Sequence, residues 1–371
     1  MISDTHYPRG ADAARAPRET AGASAVTRPP LPRFLRACRR ERVDAVPVWF
    51  MRQAGRYMPE YRAIRSRHSF LEMCAQPELA AEVTLQPVRA LGVDAAILFA
   101  DILLPLVPMG FELEFAAGEG PVIHNPVSSS ADVERLRPVE PRESLGHILQ
   151  AVRIVRGQLP QRTPLIGFAG APFTLASYVI QGGSAREAVD AKRLMYAAPA
   201  TWHALMDRLA TVVRDYLLAQ VEAGAQAVQL FDSWVGALSL DDYHDFVLPY
   251  SARVLRAVEQ TGVPVIHFGT GTATLLPLMK EAGGTVLGID WRTPLRLGRD
   301  VAAGEMAIQG NLDPVALFAP RAELERRVRR VLEDAGSRRG HVFNLGHGIL
   351  QHTSVDAVRF VVDLVHELTG A

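Results

Sequence analysis

The sequence predicts an α/β protein folded as a single (β/α)8 TIM barrel with loop insertions at its C-terminal face. Three observations carry this. Short apolar runs recur eight times after residue 30, each closed by a polar residue or glycine. Segments with apolar residues at helical spacing separate them. The runs are apolar almost without a break, which implies burial on both faces and therefore parallel strands covered by helices. An open doubly wound sheet is the alternative, because periodicity does not reveal strand order.

The runs in order are AVPVWF at 45–50, VDAAILFA at 93–100, TPLIGFA at 163–169 and AQAVQLF at 225–231, then VPVIHFG at 263–269, TVLGID at 285–290, MAIQG at 306–310 and HVFNLG at 341–346. Between the second and third, residues 111–127 (FELEFAAGEGPVIHNPV) suggest a small hairpin inserted into a βα loop. Ser239 is a predicted N-cap, with Asp242 three residues on, for one helix running to Gly262. Asp313 and Pro314 are predicted to start another that reaches Gly336. Residues 1–30, rich in Ala, Arg, Pro and Gly without periodicity, read as a disordered tail before a domain at 31–371. Asp4, Asp12 and Glu19 weigh against a transit peptide.

Composition narrows the function. Forty basic residues balance forty acidic ones, so nothing global recruits nucleic acid or an anionic membrane surface. Only Lys192 and Lys280 are lysines; the other 38 basic residues are arginines, the better fork for carboxylates. Cys38 and Cys74 form neither a disulfide framework nor a metal-type pair, which fits a reducing compartment and a cytoplasmic location. No apolar run reaches the roughly 20 residues that span a bilayer.

In a barrel, reactive groups sit where strands end. Asp101 directly follows the second run; it is either a turn residue bonded to local backbone or an acceptor able to bind N–H donors and stabilise a cation. The densest cluster is FMRQAGRYMPEYRAIRSR at 50–67, holding Arg52, Arg56, Arg62, Arg65 and Arg67 among Trp49, Phe50, Tyr57 and Tyr61. Gly55 and Pro59 favour a loop there, and an apolar, arginine-rich loop suits a flat apolar ligand fringed with carboxylates. Tyr178 follows the third run, Phe231, Asp232 and Ser233 close the fourth, and His347 stands between Gly346 and Gly348 after the eighth. Taken singly, Tyr178 also reads as a core aromatic and His347 as a turn residue. FGTGTATL at 268–275 fits neither GxxxxGK[ST] nor GxGxxG, DDYHD at 241–245 reads as helix-start acids rather than a metal cluster, and no GxSxG elbow occurs.

An ordered series of blocks, PVWFMRQAGRYMPEYR, FADIL, GFAGAPFTLASY, QLFDS, HFGTG, GIDW, QGNLDP and NLGHG, resembles the uroporphyrinogen decarboxylase family over roughly residues 34–365. The resemblance implies a (β/α)8 barrel, a homodimer with facing clefts, and a lyase that needs no cofactor. It implies removal of carbon dioxide from the four acetates of uroporphyrinogen III to give coproporphyrinogen III. It further implies that Asp101 accepts the pyrrole N–H bonds, that Arg52, Gln53, Ala54, Gly55 and Arg56 form the substrate-binding loop, and that Arg65, Tyr178, Ser233 and His347 bind substrate carboxylates or the reacting pyrrole. Phe231 and Ile97 would line the apolar wall. Arg52 lies where the family's proton donor has been proposed, yet a guanidinium with a pKa above about 12 is a poor acid. A water relay, a substrate carboxylic acid and His347 are the other candidates. Asp232 stands where Glu is common. Zinc methyltransferases on the same barrel would need a His-x-Cys arrangement that neither Cys38 nor Cys74 offers. A non-catalytic tetrapyrrole carrier would not need Asp101.

Overall fold

The computed structural model describes residues 31–116, 120–184 and 187–370; the predicted tail at 1–30 lies outside the described residues. Seven strands form one curled parallel sheet in the order β1-β4-β5-β6-β7-β8-β9. They are β1 (Ala96–Ile97), β4 (Leu165–Gly170), β5 (Ala227–Asp232), β6 (Val265–Gly269), β7 (Val286–Gly288), β8 (Ala307–Gln309) and β9 (His341–Val342). Each falls inside one of the predicted runs or overlaps it, and the sheet follows the chain order that successive βα units impose. The predicted hairpin is present as β2 (Leu113–Ala116) paired antiparallel with β3 (Gly120–Ile123).

The first predicted strand, 45–50, is reduced to a single parallel bridge between Val48 and Phe343. Its chain still lies between the sheet's two outer strands. Phe343 N–H donates to the Pro47 carbonyl at 2.9 Å on one side, and Asp94 N–H donates to the Val48 carbonyl at 2.8 Å on the other. A ladder does not extend because its donors are missing or taken. Pro47 has no N–H. Val48 N–H goes to Asp94 Oδ2 at 2.8 Å, Phe50 N–H to Gln53 Oε1 at 3.1 Å and Met51 N–H to Asn344 Oδ1 at 3.2 Å.

Two predicted helices are each split by proline. Ser239 does cap, its hydroxyl accepting Asp242 N–H at 3.1 Å, but the helix Leu240–Phe246 stops and a second, Leu248–Glu259, starts with Pro249 in its first turn. Likewise Asp313 caps only the short 3-10 segment Pro314–Phe318, and Pro320 precedes the helix Arg321–Ala335. Among the described residues no helix is long and apolar enough to cross a membrane.

Inside the sheet a short polar chain crosses the core. Trp49 Nε1 donates to Gln309 Oε1 at 3.0 Å, Gln309 Nε2 donates to Gln229 Oε1 at 2.9 Å, and the Gln229 amide reaches the Met51 sulfur at 3.5 Å. Each buried amide is thereby satisfied, and the segment that carries the arginine cluster is anchored from below.

Candidate active site

The segments leaving β1, β4, β5 and β9 converge with the loop after Val48. Beyond Ile97 the chain leaves the sheet, and Asp101 Oδ1 accepts Leu103 N–H at 2.8 Å. The turn reading of Asp101 is therefore correct for one oxygen. The carboxyl is only partly exposed, and burial raises its pKa, while the Leu103 N–H and the charge of Arg52 act in the opposite direction. Arg52 itself sits at φ 58°, a left-handed conformation that costs a non-glycine residue strain. It is exposed, and among the described residues its guanidinium is in no hydrogen bond or ion pair.

The loop is held from several sides. Gln53 is fully buried; besides receiving Phe50 N–H, its Nε2 donates to the Ala95 carbonyl at 3.1 Å, and Tyr57 OH donates to the Gln53 carbonyl at 2.7 Å. Both ends of the Gln53 side chain are thus spent on backbone beneath the loop. Asn344 orients Met51, and Ile349 N–H donates to the Met51 carbonyl at 2.9 Å. Ala54 and Gly55 face partly outward, and a turn through Gly55 leads into the helix Pro59–Arg65, so the predicted loop gives way to a helix at Pro59, which its fixed φ favours at the first position.

Tyr178 lies on the helix Pro172–Gln181 that follows β4. Its ring meets Trp234 edge-on at 5.8 Å. Burial and the nearby Asp101 charge raise the phenol's pKa, with Trp234 and Arg52 opposing, so Tyr178 lies within electrostatic reach of both Asp101 and Arg52. Ser233 follows β5; its carbonyl accepts the Thr270 hydroxyl at 2.5 Å, and the side chain is partly exposed. Phe231, beside it, packs edge-on against Phe168 at 5.6 Å and Phe268 at 6.0 Å, while Ile97 is buried in β1. His347 follows β9. Its Nδ1 accepts Gly348 N–H at 2.8 Å, and its pKa falls to about 4 because of burial first, then the charges of Arg52 and Arg292. An acceptor at Nδ1 leaves the proton on Nε2.

Arg56 and Arg65 are one step away from this group. Both bear on the buried Tyr61 phenol, lowering a pKa that burial raises, and Arg65 donates to the His68 carbonyl at 3.0 Å. Asp232 is wholly buried behind Ser233. Its Oδ1 accepts the Thr174 hydroxyl at 2.8 Å, Oδ2 has no partner, and burial lifts its pKa to about 7. Sequence reasoning overlooked Asn344, Trp234, Trp291 and Arg292. The signal was there for Asn344, a polar residue closing an apolar run. Among the described residues no three His, Cys, Asp or Glu side chains group as a metal would require.

The fold and site together define a TIM-barrel-like α/β protein in which segments following the strands bring together the partly exposed Asp101 carboxyl, an Arg52 with no ion pair among the described residues, and aromatic side chains. A family model for uroporphyrinogen decarboxylase matches residues 29–368. Uroporphyrinogen decarboxylase of Sorangium cellulosum is 61% identical over 91% of this chain and 97% of its own length. That of Carboxydothermus hydrogenoformans is 54% identical over 91% of this chain and 96% of its own length. Among solved structures, a methyltransferase from Methanosarcina mazei superposes with a TM-score of 0.76 at 21% identity, covering 91% of this chain and 98% of that one, a likeness of fold. The chain belongs to the uroporphyrinogen decarboxylase family.

Proposed function

We propose that the protein decarboxylates the four acetate side chains of uroporphyrinogen III to give coproporphyrinogen III, as a carboxy-lyase of haem biosynthesis working without a cofactor. The observation that carries this is Asp101: a carboxyl at a strand end, partly buried, with one oxygen spent on Leu103 and Arg52 close enough to bias its charge. As a carboxylate it accepts the inward pyrrole N–H donors. Protonation of a pyrrole α-carbon then makes an iminium-like cation, the electron pair of the breaking bond to carbon dioxide flows into it to give an exocyclic methylene, and protonation of that methylene with loss of the proton from the ring α-carbon leaves a methyl group on the restored pyrrole. A fixed negative charge beside that cation is worth most where water is excluded.

In this reading Arg52, Arg56 and Arg65 take acetate or propionate carboxylates, and the backbone of Gln53, Ala54 and Gly55 shapes the loop against the macrocycle. Tyr178, Ser233 and His347 donate hydrogen bonds to carboxylates or to the reacting pyrrole. The neutral Nε2–H form of His347 suits donation rather than general-acid work. The sheet closes as an eight-stranded barrel through residues 47–49, two copies pair with clefts facing, and the enzyme works in the cytoplasm. Anaerobic incubation with uroporphyrinogen and no added cofactor tests the activity: coproporphyrinogen should accumulate, and Asp101→Asn should lower kcat by about a hundredfold or more. A folded Asp101→Asn protein with near-normal turnover would overturn the role given to that carboxyl.

A further inference from the structure

Beyond β7 the chain reads Asp290, Trp291, Arg292 and Thr293. Asp290 is fully buried and well satisfied: Gly271 N–H donates to Oδ2 at 2.8 Å, the Thr293 hydroxyl to Oδ1 at 2.9 Å, and Arg292 Nη1 to Oδ2 at 3.1 Å. Arg292 spends one donor there, and its side chain stays 58% exposed. The guanidinium carbon lies 3.9 Å from the centre of the Trp291 ring. That ring in turn meets His347 edge-on at 5.8 Å and 87°. The two loops touch through backbone: a Cβ on Gly346 would fall 2.1 Å from Trp291 N.

The guanidinium is thus held by two fixed partners, a buried carboxylate and the face of the indole that packs against His347. The imidazole lies near enough to both Arg52 and Arg292 for their charges to lower its pKa. A flexible surface arginine would lose rotamer entropy on gripping a ligand; one already stacked and bonded loses less. Among the described residues its remaining N–H donors have no partner.

We propose that Arg292 is a specificity-determining residue that forks a peripheral carboxylate of the porphyrinogen on the His347 side of the cleft. This rests on the substrate proposed above, whose carboxylates outnumber the arginines of the 52–65 loop. Arg292 acts in binding and leaves the pyrrole chemistry to the residues around Asp101. The contact predicts a loss in KM with kcat preserved.

The test is steady-state kinetics with uroporphyrinogen on R292Q and R292K. R292Q should raise KM roughly tenfold with kcat within about twofold, the cost of one charge-assisted bond. R292K keeps the charge but not the planar fork or the stack and should recover part of that loss. Competitive inhibition by coproporphyrinogen, which keeps only propionates, identifies the source of the carboxylate. A parallel rise in its inhibition constant assigns the contact to a propionate, and an unchanged constant with raised KM assigns it to an acetate. An unaltered KM in R292Q, or a fall in kcat that tracks a fall in Tm, overturns the proposal. Those results differ from failure of the proposed activity, in which the unmutated protein itself forms no coproporphyrinogen.

Discussion

The aliphatic stem of Arg52 lies directly on Gly348: a Cβ at that glycine would stand 2.5 Å from Arg52 Cδ and 2.7 Å from Cγ. The atoms in the way lie along the aliphatic stem rather than at the charged tip, and they hang from a backbone pinned at φ 58°, so relieving the overlap turns the whole side chain. Gly348→Ala should therefore displace the Arg52 guanidinium while leaving the sheet intact. We expect kcat/KM to fall by about tenfold or more, in line with misplacing a substrate-positioning group by about 1 Å, with Tm changed by only a few degrees. Full activity in Gly348→Ala would mean that Arg52 does not act from the position it occupies.

Strain at Arg52 leads to a second expectation. A non-glycine residue kept in the left-handed region commonly trades stability for function. Arg52→Gly should lose nearly all turnover yet keep or gain stability, by up to about 1 kcal/mol in a urea titration. A clear destabilisation would show that the conformation is not strained.

Burial raises the pKa of Asp101, and the proposed chemistry needs its ionised form. As pH falls through that raised value the carboxyl takes up a proton and loses its capacity to accept pyrrole N–H bonds. The acid limb of kcat/KM should lie above the ordinary aspartate value of 3.8. A limb at or below 3.8, or one retained in Asp101→Asn, would assign it to another group.

For His347 the expected state is neutral, with the proton on Nε2, because Gly348 N–H occupies Nδ1 and burial holds the pKa near about 4 rather than 6.5. Nitrogen NMR on labelled histidine should report that tautomer at neutral pH, unchanged well below pH 6.5. A midpoint at the ordinary value would reopen His347 as a proton donor.

Asp232 couples to stability with a definite sign. Its folded pKa of about 7 exceeds the ordinary 3.8, so the folded protein binds the proton more tightly than the unfolded chain. That contribution is fully present below pH 3.8 and is lost as pH rises toward 7. Asp232→Asn removes the titration, and its stability relative to the unmutated protein should improve by a few kcal/mol, roughly, between pH 4 and pH 7. A difference independent of pH would show that Asp232 is not held neutral.

Much of the fold is legible in one dimension because burial on both faces leaves an unbroken apolar run wherever a parallel strand lies. Seven of the eight runs become strands in their predicted order, and the hairpin expected within 111–127 is present at 113–123. The run at 45–50 misled for a local reason: apolar content was read, but the side chains of Asp94, Gln53 and Asn344 claim the donors that a strand would have used. Pro249 and Pro320 divide the two long helices, because proline at the first turn of a helix starts a new segment where apolar spacing alone continues unbroken.

By itself, then, the amino-acid order determined the parallel α/β architecture, the family and the residues at the strand ends, since periodicity and ordered blocks are local or linear properties. Only the tertiary structure decided how those residues relate. That Arg52 rests on Gly348, that Gln53 faces down and not outward, and that the Trp291 under Arg292 packs against His347 all depend on contacts between segments far apart in the chain. Such contacts leave no period in the sequence, because they are set by which loops the curled sheet brings together.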